Sequence, residues 1–178
     1  MYTYLIVGNV FSFLSALCIA ISVVKKNKAD LIWWQSVDII FFILSNIALF
    51  AYAALATNSI ALLRNILSYK DKLTKSITYV LCLLCIAIGL YVNNRGIIGF
   101  FPVVATASYT IFIYTTKNEQ QMRYALISNL LLWFVHDFYV QAYPSAIMDM
   151  TLSIWTCIQA FRHYKKIKIT YGQRKISC

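Results

Sequence analysis

Long apolar stretches separated by short connectors govern what this chain can become. Seven can be read, over roughly 3–24, 31–52, 54–69, 76–93, 97–115, 122–141 and 145–162. A helix rising about 1.5 Å per residue needs about 20 apolar residues to cross a hydrocarbon core about 30 Å thick. Most of the stretches approach that length; the third and the last are short for it and would start in the headgroup region or lean on neighbours. They are helix-length, unlike the roughly ten-residue alternating strands of an outer-membrane barrel. The expected fold class is therefore all-α, a polytopic membrane protein with seven transmembrane helices. It comprises one membrane domain over residues 1–162 and a basic tail over 163–178.

Composition agrees, since 61% of the residues are hydrophobic and only 12% charged, which excludes a soluble globular domain. The net charge of +10 invites a nucleic-acid reading, but the basic residues sit in the connectors. Lys25, Lys26 and Lys28 follow the first span, and Lys70, Lys72 and Lys75 follow the third. Lys117 and Arg123 flank the connector after the fifth, and Arg162 to Lys175 crowd the tail. With seven spans all of these share one side, and Arg95 alone lies in an opposite connector. A six-span count would scatter them over both faces. The positive-inside rule then places the N-terminus outside and the C-terminus in the cytoplasm. The partner this implies is a lipid bilayer, not nucleic acid; a homo-oligomer stays open. The first residues lack the positive segment of a signal peptide, and Leu17 before Cys18 argues against a lipoprotein cleavage site. The first stretch is expected to remain as a membrane helix.

An offset of 91 residues brings polar positions into register without a gap. Asp38 falls on Asn129, Asn46 on Asp137, Asn58 on Asp149 and Asn65 on Thr156, while Gly8 falls on Gly99 and Ala51-Tyr52 on Ala142-Tyr143. Overall identity at this offset is little above what apolar composition gives, so the rare polar residues carry the observation. Two three-helix repeats are expected, over about 1–70 and 95–162, joined by a linker helix over about 76–93. An odd linker makes the repeats parallel, as in carriers whose halves are related by an axis along the membrane normal.

The segment Ser128-Asn129-Leu-Leu-Leu-Trp133-Phe-Val-His136-Asp137-Phe138 places an amide, an imidazole and a carboxyl at membrane depth. Such groups are costly there and mark a site by default. Helical spacing puts Asp38 and Ser45 on one face, Asn129 and His136 on another, Asn58 and Asn65 on a third, and Asp149, Ser153 and Thr156 on a fourth. These stripes either line a water-filled cavity or tie helices together. The carboxyls favour the cavity, because an ionised group in a dry site needs water or a counter-ion nearby. The candidate binding residues are Asp38, Asn46, Asn58, Asn65, Asn129, Trp133, His136, Asp137 and Asp149, in a cavity lined by spans two, three, six and seven. His136 and Asp137, being adjacent on a helix, point about 100° apart and are expected to meet partners on other helices rather than each other. His136 is also a candidate proton carrier.

Several features carry simpler readings. Arg64 is expected to snorkel to the cytoplasmic end of its span, with an anionic substrate as the alternative. Cys82 and Cys85 form a CxxC without His or acidic company and read as small buried residues. Pro102 is either a kink or a first-turn proline, and Pro144 starts the last span. No phosphate-binding glycine loop, HExxH or G-x-S-x-G occurs, so no catalytic residue, metal or cofactor is expected.

Phe101-Pro102-Val103-Val104, Trp133-Phe-Val-His136-Asp137-Phe138, Ala-Tyr-Pro144 with Asp149, and Arg64-Asn65 together resemble the YgjV family of bacterial inner membrane proteins. This chain has Asp137 where the family pattern often has Asn, and Asp149 where it has Glu. The resemblance implies location and architecture more than activity, with a distant similarity to the triple-helix-bundle sugar carriers (SWEET proteins) and nicotinamide riboside carriers. No binding residue carries over from those. The expected function is transport of a small polar molecule by alternating access between two three-helix bundles. The alternatives are a non-transporting assembly partner or sensor, and an intramembrane enzyme.

Overall fold

The computed structural model describes the backbone of residues 2–25, 28–115 and 119–176, and the side chains of all these except 28, 119–120, 122–123 and 162–176. The chain folds into α1 (Tyr2–Val24), α2 (Lys28–Ala48), α3 (Tyr52–Tyr69), α4 (Lys75–Tyr91), a 3-10 turn (Gly96–Gly99), α5 (Phe100–Thr115), α6 (Glu119–Tyr139) and α7 (Tyr143–Ile176). Each expected span has its helix, and no strand occurs among the described residues. The last helix does not stop near residue 162; it continues to Ile176, because no proline interrupts the basic segment.

Three helical segments are long and apolar enough to cross a bilayer on their own account: Tyr2–Val24, Ala29–Ala48 and Gly96–Thr115. α4 is apolar but shorter. The remaining helices are diluted by polar residues that face inward: Asn58, Arg64 and Asn65 on α3, His136 and Asp137 on α6, and Asp149, Ser153 and Thr156 on α7 are all buried. The outer surface carries large apolar side chains such as Ile6, Phe13, Leu83, Phe138, Ile147 and Ile154. Among the least exposed side chains the largest are His136, Asn46, Asn65, Thr57, Thr110 and Asp137. A water-soluble protein distributes these types the other way round, and lipid is the solvent that favours this one.

The helices close into a ring. α1 packs on α2, α2 on α3, α3 on α5, α5 on α6, α6 on α7, and α7 returns to α1. α4 packs against α3 and α5. Ile60, Leu81, Cys85 and Val103 form the apolar seam there, with the Cys82 and Cys85 thiols 3.5 Å from the Ala107 carbonyl and 3.8 Å from that of Val103. A second cluster joins Phe42, Leu49, Ala51 and Ala54 to Ala105, Trp133, Val140 and Ala142. Pro102 lies in the first turn of α5 directly after the 3-10 turn, so it starts the helix and does not kink it.

The α2–α3 and α6–α7 turns match bond for bond at the 91-residue offset. α2 ends sooner than its apolar run because Phe50 takes a left-handed φ of 54°, and Gln141 does the same at 66°. The Ala51 N–H donates to the Asn46 carbonyl at 3.0 Å, and the Ala142 N–H to that of Asp137 at 2.9 Å. This backbone bond over five residues, closing on a left-handed residue, satisfies helix-end carbonyls as a Schellman cap does. An asparagine amide then covers each left-handed carbonyl: Asn94 Nδ2 donates to Phe50 O at 2.7 Å, and Asn9 Nδ2 to Gln141 O at 3.1 Å. Arg95 donates to the Leu49 carbonyl at 2.8 Å, so this solitary cation of its connector caps the C-terminus of α2.

Close approach of α4 to its neighbours depends on Gly89. A Cβ there would stand 2.6 Å from Val103 Cγ2 and 3.2 Å from Thr57 Cγ2. Gly89→Ala is expected to cost about 1–3 kcal/mol by overpacking. Thermal unfolding in detergent should show a lowered midpoint, largely restored in Gly89→Ala/Val103→Ala; equal melting of wild type and Gly89→Ala would contradict this packing.

Candidate functional site

At the centre of the ring lies a cavity of about 80 Å³. Six helices line it, not the four expected: α1 brings Ser15, α2 Gln35 and Asp38, α3 Asn58 and Arg64, α5 Thr106 and Tyr109, α6 Asn129 and Asp137, and α7 Asp149. α1 and α5 contribute because the ring closes through the α7–α1 and α3–α5 contacts. α4 contributes nothing.

Of the candidate binding residues, Asp38, Asn58, Asn129, Trp133, Asp137 and Asp149 face this cavity. Asn46, Asn65 and His136 do not line it, although each is buried. Depth can be read from helix rise, starting at the end that carries the α2–α3 and α6–α7 turns. Asp137 lies about 3 Å in, Asn58 and Asp149 about 9 Å, Asp38 and Asn129 about 15 Å, and Arg64 about 18 Å. The polar groups thus extend along the ring interior.

The lining repeats the 91-residue offset more fully than the polar positions alone indicate. Ser15 and Thr106, Gln35 and Leu126, Asp38 and Asn129, Ile39 and Leu130, Phe42 and Trp133, and Asn58 and Asp149 are offset partners, and all line the cavity. Phe42 and Trp133 meet edge to face at 5.4 Å between ring centroids. Ser15, Thr106 and Phe42 were not singled out from the sequence, although that same offset pairs Ser15 with Thr106 and Phe42 with Trp133, whereas Gln35 and Tyr109 carried no sequence signal distinguishing them from interfacial residues.

The hydrogen bonding is uneven. Ser15 Oγ donates to Asp38 Oδ1 at 2.5 Å. Ser12 and Ser145 link α1 to the first turn of α7, with Ser12 Oγ donating to Ser145 Oγ at 2.8 Å and accepting from the Ser145 N–H at 3.0 Å. By contrast Gln35 Oε1, Asn58 Nδ2, Asn129 Oδ1 and Asp137 Oδ2 face the cavity without a hydrogen bond among the described residues, and atoms of Asn46, Asn65, Arg95 and His136 are unpartnered outside it. Buried polar atoms nearly always have partners, so such a cluster around one space marks a place where a polar guest can supply them.

Two expectations are corrected. His136 and Asp137 do pair: His136 Nδ1 lies 2.9 Å from Asp137 Oδ1, both side chains almost wholly buried. Their Cβ directions diverge, yet both side chains are long enough to swing together near the helix end, where Asp137 turns one oxygen to the imidazole. Trp133 packs against the same ring at 5.7 Å. Arg64 does not snorkel. It is 3% exposed, with Nε and Nη2 donating to Asn65 Oδ1 at 3.0 and 2.8 Å and Nη1 to Thr110 Oγ1 at 3.3 Å. Its guanidinium carbon lies 5.2 Å from the Tyr109 ring centroid. Facing inward, it trades water for a neutral hydrogen-bonded cradle and an aromatic face. Among the described residues no group of three or more His, Cys, Asp or Glu could hold a metal ion.

A ring of lipid-facing helices around a polar interior defines an all-α integral membrane protein. The chain belongs to the Imp-YgjV family of bacterial inner membrane proteins, whose family model matches residues 6–167. It is thus a protein of the bacterial inner membrane. No match is found among curated proteins or among solved structures.

The cradle of Arg64 makes a stability prediction. Asn65→Ala strands two guanidinium donors and is expected to cost about 2–3 kcal/mol. Arg64→Met/Asn65→Ala, which removes both sides of the contact, should melt closer to wild type than Asn65→Ala alone. A double variant less stable than Asn65→Ala would show that Asn65 does not hold the guanidinium.

Proposed function

We propose that this protein is a carrier or facilitator of a small polar solute, not an enzyme. It works by alternating access between two three-helix bundles, α1–α3 and α5–α7, with α4 as linker. The N-terminus lies outside and the C-terminus in the cytoplasm, the orientation the basic connectors favour. The observation that carries the reading is the Phe42–Trp133 contact. A residue that touches its own repeat partner lies on the axis relating the halves, and here that axis runs beside the polar cavity. Carriers built from repeats place their substrate at such an interface, so that rocking of one bundle against the other opens it to alternate sides. The matched turns and the ring order α3–α5 and α7–α1, which exchange under the same relation, support it further.

A purely structural role accounts for the Ser12–Ser145 and Ser15–Asp38 bonds. It gives no reason for the orphaned atoms of Gln35, Asn58, Asn129 and Asp137 to converge on one space. Intramembrane catalysis would need a nucleophile beside His136, and the hydrogen-bond and ring partners described for its imidazole are Asp137 and Trp133.

Proteoliposomes holding the purified protein should take up at least one component of a labelled pool of amino acids, sugars, polyols and organic acids faster than empty vesicles. Asp149→Asn should lower that uptake about tenfold, a loss of about 1.4 kcal/mol at the rate-limiting step. Uptake of every pool component at the rate of empty vesicles would contradict transport, and an unaffected Asp149→Asn would remove that carboxyl from the pathway.

A further inference from the structure

Resting on the carrier reading, the charge arrangement of the cavity points to its substrate class: we infer that the protein carries a small zwitterion, an α-amino acid of the size of glycine, alanine or serine. Arg64 reaches the cavity as a buried cation, yet no carboxylate among the described residues lies within ion-pair distance of it. Its contacts are the neutral Asn65 and Thr110 and the face of Tyr109. Three of the five guanidinium N–H groups are engaged there, which leaves two donors for a guest. Around the same space stand three carboxyls, Asp38, Asp137 and Asp149, and no lysine. Asp38 is held by Ser15 and Asp137 by His136, whereas Asp149 makes no hydrogen bond among the described residues.

A guanidinium and three carboxyls are therefore kept apart across one cavity where direct pairing would have satisfied them. Leaving a buried guanidinium without a counter-charge and a buried carboxyl without a partner is costly, and a guest that carries both signs supplies both at once. A carboxylate suits the planar fork of Arg64, with the unpartnered Asn58 Nδ2 as a further donor. An ammonium suits Asp149, with the orphaned acceptors Asn129 Oδ1 and Gln35 Oε1 to take its remaining N–H groups. The levels fit: Arg64 lies about 9 Å deeper than Asp149 along the helix axes, a gap that one long side chain and a short bridging guest close. Size narrows the class. At about 10–15 Å³ for each water, 80 Å³ holds roughly five to eight waters, a space that suits a guest of few heavy atoms. Glycine, alanine and serine are of that kind. A guest with only one charge leaves the opposite pole uncompensated, and a sugar carries neither charge.

The test is exchange of labelled glycine, L-alanine and L-serine in proteoliposomes containing the full chain, beside propionate, ethylamine and glycerol. The amino acids should exchange saturably, and the singly charged and neutral analogues should compete on the order of a hundredfold more weakly, as expected when one buried charge is left unpaired. Asn65→Asp supplies Arg64 with an internal carboxylate and should abolish amino-acid exchange while the protein still folds. As a check independent of any variant, L-alanine should raise the melting temperature of the wild type, and propionate and ethylamine should not. If glycerol or a singly charged solute is exchanged and the amino acids are not, the zwitterion assignment falls and the carrier reading stands. If none of the six is exchanged and L-alanine leaves the melting temperature unchanged, the assignment falls whatever a wider pool shows. Undiminished amino-acid exchange in Asn65→Asp would remove Arg64 from recognition.

Discussion

A carboxyl or guanidinium cannot be left facing hydrocarbon, and that constraint organises this protein from the inside. Asp137, Asp149 and Arg64 lie on helices too polar to qualify as spans by their own composition. Their neighbours in the ring shield them, and the apolar surface of Ile, Leu and Phe faces outward. Seen this way, helix order follows from polarity. The six helices that bear polar stripes surround the cavity, and α4, whose exposed face is Val80, Leu83 and Leu84, contributes none of its lining.

The interior polar groups divide into two kinds. Ser12 with Ser145, Ser15 with Asp38, and Arg64 with Asn65 are satisfied within the protein and fix helix to helix or side chain to side chain. Such bonds between membrane helices contribute modestly, roughly 0.6–2 kcal/mol each. The second kind, on Gln35, Asn58, Asn129 and Asp137, is directed at the cavity and is left without protein partners among the described residues, while atoms of Asn46, Asn65, Arg95 and His136 are unpartnered away from it. In each of the three offset pairs that hold a cavity-lining acid, Asp38/Asn129, Asn46/Asp137 and Asn58/Asp149, the partner is an amide. Size and hydrogen-bonding shape are thereby matched between halves while charge is not, and Arg64, whose offset partner is the exposed Trp155, adds the one cation.

Much of the fold was legible because apolar length and charge placement are one-dimensional signals. All seven helices lie where the apolar stretches lie, and the offset that aligned Asn46 with Asp137 reappears as matched hydrogen bonds in the two turns. Helix ends were less legible. The stop at Ala48 depends on a left-handed Phe50, which an aromatic residue gives no reason to expect. The site was legible in its carboxyls and amides but not in its orientation. Spacing along a helix says which residues share a face, and not which neighbour that face meets. Arg64 illustrates the gap: near a helix end, a cation reads as a surface anchor, and only the positions of Asn65, Thr110 and Tyr109 reveal that it points inward. His136 and Asp137 illustrate the opposite error, since divergent Cβ vectors do not prevent two flexible side chains from meeting.

In the proposed carrier the two bundles move against each other about an axis beside Phe42 and Trp133. Tyr52 and Tyr143 are exposed offset partners at the start of α3 and α7, one on each bundle. Spin labels at Tyr52→Cys and Tyr143→Cys, with the accessible native cysteines replaced, would report the separation of the bundles in lipid by pulsed electron resonance. Bundle motion should give two distance populations whose ratio shifts when a transported solute is added. One narrow distance that no solute changes would contradict it.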